Sequence, residues 1–144
     1  MVSFLGPPHC VFCRAHVIRL IQAQPDFAEA GAEVMLVACH DPSSVMTQLL
    51  HDLQLPYTLL LDRDRAFYTR WGIGVGSWRH LLRPGLYWAA FRQKIGGHTN
   101  GAPPPNPYQL GGDFVVDRQG RLGFAHRLKS FYDRPPIARL LDAV

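Results

Sequence analysis

The sequence predicts an α/β fold in which three β-α units are followed by β-β-α around a central mixed sheet. Three observations carry this reading. Up to about residue 71, short apolar runs bounded by Gly, Pro and Asp alternate with stretches of helical periodicity. Beyond residue 112 the rhythm changes to two strand-like runs joined by Asp117-Arg118-Gln119-Gly120, a tight hairpin connection. Two cysteines, Cys10 and Cys13, stand three residues apart where the first strand gives way to the first helix. Positions three apart share one face of a helix, close enough for their sulfurs to be joined.

The elements follow in order. Val2-Ser3-Phe4-Leu5 is a buried strand, and Gly6-Pro7-Pro8 turns the chain. A helix follows with apolar residues at 17, 18, 20 and 21, and after it Pro25 and the Gly31 region close the segment. Glu33 to Ala38 reads as the second strand. Asp41 as N-cap and Pro42 at the first position open a second helix running to about Leu53. Pro56 to Leu61 is the third strand, and Ala66 to about Trp71 a short helix. Asp113 to Val116 and Leu122 to His126 form the hairpin, and Pro135 starts the closing helix through Leu141. Gly72 to Gly111, with an aromatic and basic stretch and then a Gly, Asn and Pro-rich one, is read as a lid-like insertion. There is no internal repeat.

At 144 residues the chain suits a single domain, 1–144. Its 47% apolar and 18% charged residues exclude a disordered chain. No apolar run reaches the length of a membrane span, and no basic segment precedes the first apolar residues, so a secretory signal is not expected. A cytoplasmic location is the default. Residues 70–112 hold five of the 15 basic residues and none of the 11 acidic ones, so the net charge of +4 belongs to that segment. Such a segment suits an anionic substrate, a lipid surface or an acidic partner. Nucleic acid is not among the expected partners.

The chemistry concentrates at Cys10 and Cys13. The first turn of a helix carries unpaired N–H groups and a partial positive charge, which favour a thiolate. Arg14 adds a cation and His9 a second one when protonated, and such surroundings depress a cysteine pKa. Cys10 is expected to be the exposed nucleophile and Cys13 the resolving partner. Phe12 shields the pair, touches substrate or packs in the core. An alternative is metal binding by His9, Cys10, Cys13 and His16, without the distant second ligand pair of structural zinc sites. Another is a redox-inert interaction module. Cys39 is read as a small residue ending a strand or as an additional resolving thiol, and His126 as structural. His16 is read as partly exposed, and neither histidine as part of a dyad. Trp78, Tyr87, Trp88 and Phe91 are core or contact residues, and Gly72, Gly74 and Gly76 a hinge rather than a phosphate loop.

Cys10-Val11-Phe12-Cys13-Arg14, Tyr68 to Gly72 and Gln109-Leu110-Gly111-Gly112-Asp113-Phe114-Val115-Val116-Asp117 resemble the peroxiredoxin-like branch of the AhpC/TSA redoxins, which includes prostamide/prostaglandin F synthase. The resemblance covers essentially the whole chain. It implies a thioredoxin-like fold and an antioxidant oxidoreductase that reduces a disulfide or peroxide with its vicinal cysteines. It also implies recycling by an external thiol such as a thioredoxin or glutathione, with no cofactor. Peroxide-splitting relatives carry P-x-x-x-T-x-x-C, which is absent here. Gly111-Gly112 occupies the place of the cis-proline that faces the cysteines in thioredoxins, so these glycines, with His9, Phe12 and Arg14, are the expected substrate contacts. The strand and helix that usually precede the first strand are missing, which implies a truncated N-terminus. A sheet edge left so would need cover, and a homodimer is one way to supply it.

Overall fold

The computed structural model describes residues 1–7, 10–39, 54–76 and 108–144. In these the chain forms β1 (Val2–Phe4), α1 (Val11–Gln22), α2 (Gln24–Glu29), β2 (Met35–Ala38), β3 (Thr58–Leu61), α3 (Ala66–Arg70), β4 (Gly112–Val116), β5 (Leu122–Arg127) and α4 (Ile137–Leu141). The strands make one sheet in the order β3-β2-β1-β4-β5. β1 pairs in parallel with β2, and β2 with β3. β4 pairs antiparallel with β1 and with β5. The sheet is mixed, as the sequence predicts. The predicted helix 41–53 and the aromatic residues Trp78, Tyr87, Trp88 and Phe91 lie outside the described residues.

The sheet buries both faces, and strand alternation sorts its residues between them. Leu5, Leu36 and Val115 join Val17 and Leu20 of α1, Phe27 of α2 and Leu140 of α4 in one cluster. Phe4, Val37 and Phe114 join Phe12, Tyr68, Ile73, Leu128 and Phe131 in the other. There Phe4 meets the Tyr68, Trp71 and Phe114 rings at centroid distances of 5.0, 5.4 and 5.6 Å.

Two elements differ from the sequence expectation. Pro25 stands beyond the first helix, as the sequence predicts, but opens a further helix that the sequence reading lacks. It sits in the first turn of α2, where its missing N–H costs nothing, and Phe27 is buried one turn on. The closing helix begins at Ile137, two residues late, because Pro136 is its N-cap. The short helix α3 is capped from outside: buried Asp62 accepts the Phe67 and Tyr68 N–H groups at 2.9 and 3.1 Å. This anchors Tyr68, whose hydroxyl donates to the Leu5 carbonyl (2.6 Å) with the Val37 carbonyl 2.9 Å away. The two ends of the predicted insertion are stitched together. Gly76 N–H donates to Tyr108 O (2.7 Å), Leu110 N–H to Gly74 O (3.3 Å), and the buried Gln109 amide to Gly74 O (3.1 Å).

Candidate active site

β1 delivers the chain into α1 through Leu5 and Gly6, and Cys10 is the N-cap of α1. Its backbone N–H donates to Pro7 O (3.0 Å), while its carbonyl accepts the N–H groups of Cys13 (3.0 Å) and Arg14 (3.1 Å). The turn therefore closes around the pair. Cys10 is half-buried, and Cys13 is 3% exposed. Both are reduced thiols, as is Cys39.

Cys13 is the more acidic thiol, held at about 6. The hydrogen bond donated by the Cys10 thiol contributes most. Burial opposes it, and the Arg134 guanidinium and the Gly6 N–H add to the lowering. Cys10 is correspondingly pushed well up, by its role as donor to Cys13 and by burial. The sequence puts the anion on Cys10, at the helix start. The tertiary structure puts it on Cys13, because Arg134 arrives from the other end of the chain.

Arg134 belongs to a buried polar network that sequence reasoning missed. Its side chain is 3% exposed, donating from Nη1 to Asp113 Oδ2 (2.9 Å) and from Nη2 to Phe4 O (3.0 Å). The other carboxylate oxygen, Asp113 Oδ1, accepts the Ser3 hydroxyl (2.6 Å) and His16 Nε2–H (2.9 Å). Ser3 and Asp113 are direct partners in the β1–β4 register, which is why they meet. Burial pushes Asp113 up, but Arg134, His16 and Ser3 outweigh it and hold the carboxyl well below its usual range. Burial likewise disfavours charge on Arg134, and Asp113 and Cys13 more than restore it. Burial lowers the His16 pKa, keeping the imidazole neutral as a donor.

His16 is thus fully buried and paired with Asp113, where the sequence reading has it partly exposed and without a partner. Its Nε2 is committed to Asp113, and its Nδ1 is enclosed without a hydrogen-bond partner. Among the described residues no three His, Cys, Asp or Glu side chains gather as metal ligands. His9 lies outside the described residues. Phe12 is buried, with its ring 6.1 Å from that of Tyr132, which is 39% exposed. Arg14 is half-buried in the first turn of α1.

Gly111 and Gly112 stand against backbone, the Arg134 guanidinium and the Phe114 ring. A Cβ on Gly111 would strike the Phe4 carbonyl and the Arg134 guanidinium; one on Gly112 would come 2.9 Å from His126 O. Gly111 therefore leaves the space through which Arg134 reaches Phe4 O. The glycine at the sulfurs is Gly6, where a Cβ would stand 2.9 Å from Cys13 Sγ and 3.2 Å from Gln109 O. Cys39 directly follows β2 and packs in the apolar cluster of Phe4, Phe12 and Tyr68, its thiol pushed up to about 11 by burial. His126 Nε2 lies 3.0 Å from Asp133 O and 3.3 Å from its carboxylate, a surface contact.

The comparisons agree on the family. A family profile described as AhpC/TSA antioxidant enzyme matches residues 19–130, a stretch that begins beyond the cysteine pair. Peroxiredoxin-like 2A of Rattus norvegicus is 31% identical over 145 residues, covering 95% of this chain and 58% of the relative. The Mus musculus protein is equally similar, with 62% of its length covered. The chain thus spans about three fifths of these curated relatives. A cysteine-to-serine mutant of peroxiredoxin 6 from Arenicola marina superposes with a TM-score of 0.66 over 97% of this chain and 56% of its own. At 13% identity that likeness speaks for the fold alone.

Proposed function

The chain belongs to the peroxiredoxin-like AhpC/TSA family of the thioredoxin fold, and from that premise we propose that it is a dithiol oxidoreductase reducing a disulfide or a peroxide with Cys10 and Cys13. The observation that carries this reading is the Cys13 sulfur, which Cys10, Arg134 and Gly6 surround so that it ionises near 6 beside a second thiol.

Each sulfur has one half of what the reaction needs. Cys13 holds the charge but is enclosed; Cys10 is more accessible but protonated. The hydrogen bond between them supplies the link: Cys10 passes its proton to Cys13 and becomes the attacking thiolate. On a disulfide R–S–S–R, it forms the mixed disulfide Cys10–S–S–R and expels RS⁻. The Cys13 thiolate, its proton lost, then attacks the Cys10 sulfur and expels the second RS⁻, leaving the Cys10–Cys13 disulfide. On a peroxide R–O–O–H, Cys10 becomes the sulfenic acid with loss of ROH, and Cys13 closes the disulfide with loss of water. Two electrons leave the dithiol in each case. An external dithiol, or two molecules of a monothiol such as glutathione, returns them. In this reading residues 1–144 act as one redoxin domain.

The test is turnover of hydrogen peroxide, a lipid hydroperoxide and a small disulfide by wild type, Cys10→Ser and Cys13→Ser. Turnover of at least one substrate, abolished by either substitution, is the expected result. Equal rates in all three proteins would overturn the reading, and so would an inert wild type whose cysteines never pair in a graded thiol buffer.

A further inference from the structure

Resting on that reading of the dithiol, we propose that Arg14 makes the site selective for disulfides bearing a carboxylate beside the sulfur. Helix α1, VFCRAHVIRLIQ, contains no Asp or Glu, so Arg14 has no carboxylate three or four positions away in either direction. Among the described residues no carboxylate pairs with its guanidinium, and its Nε is enclosed without a hydrogen-bond partner. A cation in the first turn also works against the helix dipole. Arg14 is therefore placed where the helix itself disfavours it, and nothing described compensates. Arg134, the other arginine at the site, also has an enclosed Nε without a partner, but its Nη1 and Nη2 are held by Asp113 and Phe4 O, and its charge is matched by Asp113.

The location gives this cation its use. Arg14 N–H donates to Cys10 O at 3.1 Å, so the residue stands one turn beyond the half-buried sulfur that meets substrate. A disulfide docked end-on to Cys10 leaves its substituents over this first turn. There the positive end of the α1 dipole and the Arg14 charge attract negative charge together. Phe12 and the exposed Tyr132 supply an apolar flank. A carboxylate two or three atoms from the disulfide fits this arrangement; an ammonium in the same place is repelled.

Three small disulfides of similar size separate charge from shape: 3,3′-dithiodipropionate (anionic), bis(2-hydroxyethyl) disulfide (neutral) and cystamine (cationic). The readout is the kcat/KM ratio of anionic to cationic substrate, each variant compared with wild type so that leaving-group differences cancel. The ratio is expected to fall by about three- to tenfold in Arg14→Gln and to drop further in Arg14→Glu. It should also fall in wild type as salt rises from about 20 to about 500 mM, a measurement independent of variant folding. Two peptide disulfides differing only by Glu or Gln beside the cysteine distinguish an acidic peptide from a small-molecule source of the carboxylate. A ratio unchanged by both substitutions and by salt would overturn the inference while leaving the dithiol chemistry intact. Failure of wild type to reduce any of the disulfides would overturn the inference, and the dithiol reading falls with it only if peroxides are not turned over either.

Discussion

Asp113 is a carboxylate on a central strand, facing a helix, where an apolar side chain would ordinarily sit. It is kept there because three donors converge on it, and it in turn holds Arg134 against the Cys13 sulfur. Breaking such a pair from one side leaves a buried charge uncompensated. Arg134→Met and Asp113→Asn should each cost about 3–5 kcal/mol in denaturant unfolding, and the double variant should recover part of that loss. The double variant should nevertheless keep the second effect of losing Arg134, a pH midpoint of thiol reactivity moved up from about 6 toward the ordinary 9.0. The same depressed value fixes the sign of the stability dependence. Between about 6 and 9 the unfolded chain binds the Cys13 proton and the folded chain does not, so stability rises with pH there. The gain is lost as pH falls through 6. A Cys13→Ser comparison of denaturation midpoints across this range, in reductant, should isolate that slope.

At the scale of elements, two local geometries decide the site. The first is the β1–α1 turn, where Gly6 leaves room for the sulfur. Gly6→Ala puts a methyl 2.9 Å from Cys13 Sγ and 3.2 Å from a backbone carbonyl. It is expected to cost about 1–3 kcal/mol and to depress dithiol turnover by displacing Cys13 from Arg134, measurable by unfolding and by activity on one sample. The second is the α1–α2 junction, where Phe27 anchors a helix that the sequence reading omits. Phe27→Ala should cost about 3–5 kcal/mol, read from the denaturation midpoint, because the ring is 1% exposed in the larger helix-side cluster. The strands were legible because their apolar runs are short and bounded by turn residues, and the cysteine pair because its spacing carries chemistry. The network was not. Ser3, His16, Asp113 and Arg134 share no sequence spacing, and only the antiparallel β1–β4 register makes Ser3 and Asp113 neighbours. Asp113 reads locally as the polar first residue of a strand, and Arg134 as one more charge in a polar loop. The surroundings of Gly111 and Gly112 were hidden for a related reason: their closest contacts include Phe4 O, Arg134 and His126 O, set by sheet pairing.

For the molecule as a whole, the mixed five-stranded sheet places the start of α1, strand β4 and the segment after β5 together, and Cys10, Cys13, Asp113 and Arg134 come from those three places. Among the described residues no helix is long and apolar enough to cross a membrane. The central claim is that this convergence puts one negative charge, at neutral pH, on the inner sulfur of a hydrogen-bonded pair. Ultraviolet thiolate absorbance, followed against pH in reduced wild type, Cys10→Ala and Cys13→Ser, tests it most directly. The account expects one thiolate to appear near pH 6 in wild type, at a higher pH in Cys10→Ala, where the donor to Cys13 is gone, and not at all in that range in Cys13→Ser. No thiolate below about pH 8 in wild type, or a step near 6 that survives Cys13→Ser, would contradict it.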